Sequence, residues 1–306
     1  MRTVVASAEA SLIRAQLFPS RAVRESPIDE WREQELRTRA NDSLPSGVSI
    51  RPGRIASLPC EWLDGSSDLS KRVILYLHGG GYVLGGCATH RNLAARLALA
   101  ADARVIVPEY RLAPEHPFPI AVEDAAAVYE ALLESGIFPS RLAVAGDSAG
   151  GGLAAALLLS LRDSRRPLPA LAVLISPWSD LSLSGDSYRT RADLDPIDRV
   201  LPLRRMAQCY LGKHSDPKAP LASPIFGDLS GLPPMLVQVG DHEVLLDDAT
   251  RLAQKARGAL VDVELKIWPE MWHGWHLAAP ALPEANEAIS QAGAYVRARM
   301  TCRSLR

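Results

Sequence analysis

The sequence lacks the cysteine pattern that a disulfide framework or a zinc site requires. Its cysteines are few and scattered and form no C-x-x-C pair: Cys60, Cys87, Cys209 and Cys302. Disulfide-rich scaffolds and structural zinc sites both need cysteines at short, regular spacings. We therefore expect neither a metal site nor a disulfide-stabilised fold.

An excess of either charge is also lacking, as are long hydrophobic runs. The 34 lysine and arginine residues nearly balance 35 aspartate and glutamate residues, which gives no electrostatic reason to bind nucleic acid or an anionic membrane. No apolar run approaches the roughly 20 residues that span a bilayer. Polar residues at Ser7, Glu9, Ser11 and Arg14 interrupt any signal-peptide core. The sequence predicts no membrane insertion and a cytoplasmic location.

What the sequence does contain, from about residue 72, is an alternation of short strand-like runs and longer helical patterns. Most of the strand-like runs are almost continuously apolar, which is typical of strands buried on both faces of a parallel sheet. They cover 73–77, 104–107, 142–145, 171–175, 235–239 and 263–268. Helical patterns lie near 89–101, 119–135, 149–162, 247–258 and 284–300. This predicts a doubly wound α/β fold, a mostly parallel sheet with helices on both faces.

Two segments do not fit the alternation. Residues 1–45 resemble two helices rich in arginine and glutamate, separated by the break Pro19–Pro27. Residues 184–222 form a proline- and charge-rich insertion. Both could cover the carboxyl ends of the strands as a helical cap, with plain surface decoration as the alternative. The predicted catalytic domain then comprises 46–183 and 223–306.

The strand-like run 142–145 leads into G-D-S-A-G at 146–150. This G-x-S-x-G pattern indicates a nucleophile elbow, in which a strand turns sharply into a helix and exposes one serine side chain. A serine hydroxyl is a weak nucleophile, so it needs a base and an oxyanion site from elsewhere in the chain. Ser148 is the candidate nucleophile.

A triple glycine follows the run 73–77 directly, in His78-Gly79-Gly80-Gly81. Consecutive glycines cost backbone entropy, so a turn or a close backbone approach must require them. In α/β-hydrolases such a segment presents backbone N–H groups to the oxyanion, beside the N–H of the residue after the nucleophile. Gly80, Gly81 and Ala149 are the expected donors, and a glycine turn without a ligand is the alternative.

The base and the acid are sought later in the chain, in the order serine, acid, histidine. Of the two histidines after the run 263–268, His273 opens H-G-W, where glycine allows the loop to turn, and it is the predicted base. His276 is interpreted as a packed or solvated neighbour.

The acid follows the run 235–239, where Asp241, Glu243, Asp247 and Asp248 are candidates. Asp247 and Asp248 stand at the start of a predicted helix, where acidic side chains interact favourably with the helix dipole. The residues alone do not decide whether Asp241 or Glu243 is the acid.

Taken together, H-G-G-G-Y at 78–82, Y-R-L-A-P-E-H-P-F-P at 110–119, G-D-S-A-G-G at 146–151 and H-G-W at 273–275 resemble the hormone-sensitive-lipase-like esterases. These are the bacterial family IV enzymes of the α/β-hydrolase fold. The likeness covers about residues 70–300. The first Asp of the family's D-P-L-x-D motif falls on Glu243, so the resemblance implies Glu243 as the acid, although the family's proline is missing.

The resemblance implies a serine carboxylesterase that acts on short- to medium-chain acyl esters through an acyl-enzyme, without a metal or an organic cofactor. It also implies a homodimer contact along the edge strand Val263–Trp268, because related esterases often pair there. The alternatives are an N-deacetylase or other amide or carbamate hydrolase, and a catalytically silent ligand-binding homologue. An apolar pocket is expected from three aromatic side chains near the motifs, Tyr82, Trp178 and Trp275, together with Met206 and Tyr210 from the predicted cap segment. Core packing is their alternative role.

Overall fold

The computed structural model describes residues 6–17, 26–39, 43–65, 72–197, 200–213 and 215–300. The remaining parts of the predicted cap, at 1–5, 18–25 with Pro19, 40–42, 198–199 and 214, lie outside the described residues. Cys302 lies outside them as well.

The described strands form one sheet. In chain order they are β1 (Ser49–Ile55), β2 (Leu58–Asp64), β3 (Val73–Leu77), β4 (Arg104–Pro108), β5 (Leu142–Asp147), β6 (Leu171–Ile175), β7 (Met235–Gly240) and β8 (Val263–Trp268). Their order across the sheet is β1-β2-β4-β3-β5-β6-β7-β8. The strands from β3 to β8 are parallel, whereas β1 and β2 pair antiparallel. The predicted fold class, a mostly parallel α/β sheet of the α/β-hydrolase type, is confirmed.

The antiparallel pair β1 and β2 was not predicted from the sequence. Their sequences, SIRPGRI and LPCEWLD, contain proline, glycine and charged residues and show no continuous apolar run. They lie at one edge of the sheet, where β1 is mostly exposed or half-buried and only Ile55 is buried. A strand at an edge needs less apolar surface than a central strand, so the signal used for the parallel strands is absent here.

Helices cover both faces of the sheet. They are α1 (Ala8–Leu17), α2 (Ile28–Arg39), α3 (Cys87–Ala101), α4 (Ile120–Glu134), α5 (Ala149–Asp163), α6 (Ser187–Thr190), α7 (Val200–Leu211), α8 (Leu246–Gly258) and α9 (Pro283–Arg299). Alternate residues of β3 separate the two cores: Leu75 packs with α4, α5 and α8, and Ile74 packs with α3 and α9. No helix in the described part of the chain is long and apolar enough to cross a membrane. The cytoplasmic location stays a prediction.

Strand β8 closes the end of the sheet opposite β1. Its outer residues are half-buried or exposed, and the Ile267 side chain is 49% exposed. An unpaired edge strand presents backbone donors and acceptors to a partner. The homodimer contact along Val263–Trp268 is compatible with this position and stays a prediction.

Candidate active site

Ser148 alone forms the turn between β5 and α5. Its backbone adopts φ 53° and ψ −123°, a strained conformation for a residue with a side chain. Two backbone hydrogen bonds of 2.9 Å hold the turn, from Ser148 N–H to the Ile175 carbonyl and from Trp178 N–H to the Ser148 carbonyl. A Cβ atom at Gly146 would collide with the Gly150 carbonyl, and one at Gly150 with the Leu77 carbonyl. The two motif glycines therefore let the chain turn tightly enough to present the serine.

A chain of hydrogen bonds joins the three residues Ser148, His273 and Glu243. The Ser148 Oγ lies 2.9 Å from His273 Nε2, and His273 Nδ1 lies 2.9 Å from Glu243 Oε2. Glu243 is fully buried and the other two nearly so. An imidazole that donates its Nδ1–H to a carboxylate presents an unprotonated Nε2 to the serine hydroxyl. This geometry allows His273 to accept the serine proton.

The structure places Glu243, and not Asp241, against the imidazole. The second carboxylate oxygen of Glu243 accepts hydrogen bonds from Gly240 N–H and Ser176 Oγ, both at 2.7 Å. Asp241 instead accepts a bond of 2.6 Å from the backbone N–H of Glu270 and so fixes the loop after β8. The sequence analysis missed Ser176, although it directly follows β6, the strand beside β7. A polar residue at the carboxyl end of a neighbouring strand is the signal that could have found it.

The glycine loop after β3 lies beside the elbow. Gly80 and Gly81 line the same cavity as Ser148 and adopt φ values of 117° and 62°. Within the described part of the chain, the N–H groups of Gly80 and Gly81 donate to no other group. Ala149 begins α5, and the first N–H groups of a helix have no acceptor within it. Gly80 and Gly81 therefore border the cavity of Ser148, and Ala149 directly follows that serine in the chain. The oxyanion site formed by their N–H groups stays a prediction.

A buried carboxylate ties the elbow to the glycine loop. Asp147 Oδ1 accepts hydrogen bonds from Tyr76 OH at 2.6 Å and Gly79 N–H at 3.1 Å, and Oδ2 lies 3.3 Å from His90 Nε2. Burial disfavours the charged carboxylate, but His90 and these donors outweigh it and lower the pKa of Asp147. Burial likewise opposes protonation of His90, yet Asp147 raises the pKa of that imidazole. The contact between the two side chains is therefore buried and mutually stabilising, and it holds the elbow against the glycine loop.

Two other histidines near the site are neutral and structural. Burial lowers the pKa of His78 to about 4, so its Nδ1–H donates to the Gly79 carbonyl at 2.8 Å. Burial lowers the pKa of His276 to about 3, and its Nε2 lies 3.0 Å from Gln238 Oε1. His276 is a packed neighbour of the site, since its ring contacts Trp275 at a centroid distance of 3.9 Å.

Replacing Gly80 by alanine is expected to lower kcat by about 10²- to 10³-fold, the effect of losing one oxyanion donor. The added Cβ would meet the Leu84 carbonyl in a backbone conformation that side chains rarely adopt, so the loop must shift. Gly136→Ala is a matched control, because Gly136 also has a positive φ (92°) but precedes the amino-terminal end of β5, whereas Ser148 follows its carboxyl-terminal end. The control should lower the melting temperature and leave kcat unchanged. Wild-type kcat in Gly80→Ala would rule out a role for this loop.

A cavity of about 570 Å³ lies over Ser148 and His273. Residues from α1, α2 and α7 form much of its wall, so helices from both predicted cap segments border the site. One set of lining side chains is apolar: Leu17, Leu84, Ile197, Leu203, Met206 and Leu277. Another set is polar: Gln16, Ser26, Gln34, Glu35, Thr38 and Arg39. The division of the chain into a cap and a catalytic domain stays a prediction.

Of the five predicted pocket side chains, only Met206 lines this cavity. The aromatic side chains of Tyr82, Trp178, Tyr210 and Trp275 are at most 2% exposed and belong to the core. Tyr82 and Tyr210 stack on each other at 3.8 Å. Large aromatic rings close to the motifs support the elbow and the glycine loop from behind, because that position buries most apolar surface. Their expected place at the pocket wall is corrected accordingly.

Helix α2 is fastened to the loops that carry the site. The Arg32 guanidinium donates to the Val83 carbonyl at 2.8 Å, to the Ala113 carbonyl at 2.9 Å and to both Glu115 carboxylate oxygens at 2.8 Å. Glu35 accepts a hydrogen bond of 3.0 Å from Gly85 N–H. This role of Arg32 was not evident from the sequence, because its partners on these loops are 51 or more residues away.

The pair Arg32–Glu115 predicts a pH-dependent stability contribution. The hydrogen bond from Arg32 lowers the pKa of Glu115 from its ordinary value of 4.5 to about 2. A lowered pKa stabilises the folded state above pH 4.5, and that contribution is lost as the pH falls towards 2. Glu115→Gln should lower the free energy of unfolding at neutral pH by less than about 1 kcal/mol, since the carboxylate is half-exposed.

Urea unfolding of wild type and Glu115→Gln, near pH 7 and near pH 3.5, measures this difference. It should be smaller at the acidic pH, and a difference that grows on acidification would contradict the assignment. Glu33→Gln is the control, because the Glu33–Arg37 pair is exposed on both sides and should contribute almost nothing.

The fold and the arrangement around Ser148 are those of hydrolases with a serine at a strand-to-helix elbow. The family model described as alpha/beta hydrolase fold matches residues 74–277. The chain belongs to this family and, within it, to the hormone-sensitive-lipase-like esterases.

Relatives of this chain are similar over most of its length. An acetyl-hydrolase of Streptomyces hygroscopicus is 45% identical over 296 residues, which cover 96% of this chain and 97% of that protein. The carboxylesterase NlhH of Mycobacterium tuberculosis is 39% identical over 227 residues, 72% of this chain and 71% of that protein. The crystal structure of an esterase from the bacterial hormone-sensitive lipase family superimposes with a TM-score of 0.92 at 41% identity, covering 97% of this chain and 100% of that one.

Proposed function

We propose that this chain is a serine carboxylesterase that hydrolyses short- to medium-chain acyl esters through an acyl-enzyme. The observation that carries the proposal is the continuous chain of hydrogen bonds from Ser148 through His273 to Glu243 at the cavity over the elbow. The esterases and carboxylesterase among its relatives support the same reaction class.

In the proposed mechanism Ser148 Oγ attacks the acyl carbonyl carbon while His273 Nε2 takes the hydroxyl proton. The charged imidazolium is stabilised by Glu243, which Ser176 and Gly240 hold in place. His273 then protonates the leaving alcohol, and the acyl group stays on Ser148.

The oxyanion is placed against the N–H groups of Gly80, Gly81 and Ala149. The N-terminal end of α5 adds the positive end of its dipole at the same point. A water molecule, activated by the same imidazole, then attacks the acyl-enzyme, and collapse of the second oxyanion releases the acid and restores Ser148.

A panel of p-nitrophenyl esters from acetate to palmitate tests the proposal. We expect turnover of the acetate, butyrate and hexanoate and little of the palmitate, because the apolar wall is a short row of side chains in a cavity of about 570 Å³. Wild-type protein that hydrolyses none of the esters would contradict the proposal.

Amide hydrolysis is the second candidate, because a relative at 45% identity is named acetyl-hydrolase, a name that covers the release of an acetyl group from an ester or from an amide. The same serine and imidazole can cleave an N-acetyl group, provided that His273 protonates the leaving amine. Adding p-nitroacetanilide to the panel distinguishes the two: a kcat/KM for the anilide that equals or exceeds that of the acetate ester would identify an N-deacetylase.

A further inference from the structure

One face of α2 turns polar side chains towards the cavity. Gln34, Glu35, Thr38 and Arg39 all line it, at positions i, i+1, i+4 and i+5, which share one side of a helix. A helix that packs on a protein normally turns its apolar side inward. Here the apolar anchor is Trp31, which is 1% exposed and packs beneath the Arg205 guanidinium. Of the polar wall residues, Glu35 also fastens the helix, through Gly85 N–H, whereas no attachment of α2 by Arg39 is present among the described residues.

The wall contributed by α7 is apolar. Leu203 and Met206 line the cavity from that helix, together with Leu277 from the loop after His273. A cavity with one apolar and one polar wall suits a substrate whose acyl-ester portion is apolar at one end and polar at the other.

Arg39 is the cation of the polar wall and has no partner within the described residues. The other arginines of α2 are engaged, Arg32 with Glu115 and Arg37 with Glu33. The acidic neighbour of Arg39 on the wall, Glu35, accepts the hydrogen bond from Gly85 N–H. Arg39 is half-buried as a residue and lines the cavity without an acceptor among the described residues. A ligand carboxylate would accept two parallel hydrogen bonds from its guanidinium.

Arg39 shares its cavity with the reacting groups. Ser148 and His273 line that cavity, and so does His90, which contacts Asp147, the residue before the nucleophile. Burial lowers the pKa of His90, Asp147 and Glu35 raise it, and the positive charge of Arg39 lowers it. A substrate seated over Ser148 therefore occupies the same cavity as the guanidinium.

We propose that Arg39 binds a carboxylate of the substrate, so that this enzyme prefers esters that carry a carboxylate away from the scissile bond. The inference rests on the proposed esterase function and narrows it to a substrate class. The polar side chains beside Arg39 face the carboxylate end, and Leu203 and Met206 face the apolar remainder.

The test compares each anionic ester with its neutral methyl ester. One pair carries the charge on the alcohol half, 4-(butyryloxy)benzoate against methyl 4-(butyryloxy)benzoate. The other carries it on the acyl half, mono-4-nitrophenyl adipate against methyl 4-nitrophenyl adipate. The measured quantity is the kcat/KM of the anionic ester divided by that of the neutral one.

For at least one of the two ester pairs, the wild-type protein should give a ratio of kcat/KM values above one. That ratio should fall as salt is added, because salt screens the attraction between the two charges. Arg39→Gln should lower that ratio about tenfold, mainly through KM, as for the loss of one charge-assisted pair. Arg39→Lys should restore part of it, because the charge remains without the planar fork. Arg37→Gln, on the outer side of α2, should leave the ratio and the activity unchanged.

Two outcomes would overturn the proposal. In one, the kcat/KM ratio of Arg39→Gln equals that of wild type for both ester pairs. In the other, Arg39→Gln lowers kcat/KM equally for the anionic and the neutral esters. Absence of turnover of every ester, the neutral ones included, would instead contradict the proposed esterase function. The two failures are therefore distinguishable.

Discussion

Replacing Ser148 by alanine is expected to lower kcat for p-nitrophenyl butyrate by about 10⁴- to 10⁶-fold, the range seen when a serine nucleophile is removed. Without Oγ no acyl-enzyme forms, and only hydrolysis promoted by the backbone donors remains. Alanine tolerates the strained φ of 53° no worse than serine does, and Gly146 and Gly150 keep the turn closed. The melting temperature should therefore change little while the activity is lost.

A covalent probe makes the same prediction independently of turnover. A fluorophosphonate should add once to wild type, at Ser148, and not at all to Ser148→Ala, as intact-protein mass spectrometry would show. Ser135→Ala is a suitable control, because Ser135 follows the end of α4, away from the cavity, and among the described residues its hydroxyl bonds to the Leu132 carbonyl. Activity of Ser148→Ala within tenfold of wild type, with the adduct on another residue, would identify a different nucleophile.

The parallel strands were predictable from sequence to within two residues, because burial on both faces makes most of them almost continuously apolar. The exception is the edge strand β8, whose sequence VELKIW includes charged residues. The run at 171–175, for example, is β6 without any change of bounds. Strands β1 and β2 have one side open to solvent, so their sequences combine Pro52, Gly53 and charged residues with few apolar ones. The pairing of these two strands depends on the strand beside each of them, so the local pattern of apolar residues does not reveal it.

The elbow and the glycine loop were predictable because their backbone geometry requires particular residue types. Only glycine fits beside the elbow at position 150, because a Cβ atom there would collide with the Leu77 carbonyl. The steric requirement is therefore visible in the sequence as the second glycine of G-x-S-x-G. The side chains that hold the site have no such signature. Ser176 reaches Glu243 across 67 residues of chain and His90 reaches Asp147 across 57, through contacts that only the folded sheet creates. Aromatic residues near the motifs were misplaced for the same reason, since sequence proximity does not tell a core side from a cavity side.

The acid position gives the other prediction with a very large effect, and it separates two carboxylates that lie two residues apart. Glu243→Gln should lower kcat by about 10⁴-fold, the loss known for a triad acid converted to its amide. An amide can donate to Nδ1 and so favours the tautomer whose Nε2 carries the proton, which cannot accept the serine proton. Asp241→Asn should keep kcat within about threefold of wild type, because the amide oxygen can still accept the hydrogen bond from Glu270 N–H.

Glu243→Asp adds a third measurement that tests the reach of the side chain. The loop after β7 sets the carboxylate between His273, Ser176 and Gly240, and an aspartate one methylene shorter cannot keep all three hydrogen bonds. Activity between those of wild type and Glu243→Gln is therefore expected, with an unchanged KM because no substrate contact is lost. If Glu243→Gln kept near-full turnover while Asp241→Asn abolished it, Asp241 would be the acid, and the loop would have to rearrange during the reaction. Equal, modest losses in both variants would instead mean that the imidazole is oriented without a carboxylate, which the buried 2.9 Å contact of His273 with Glu243 argues against.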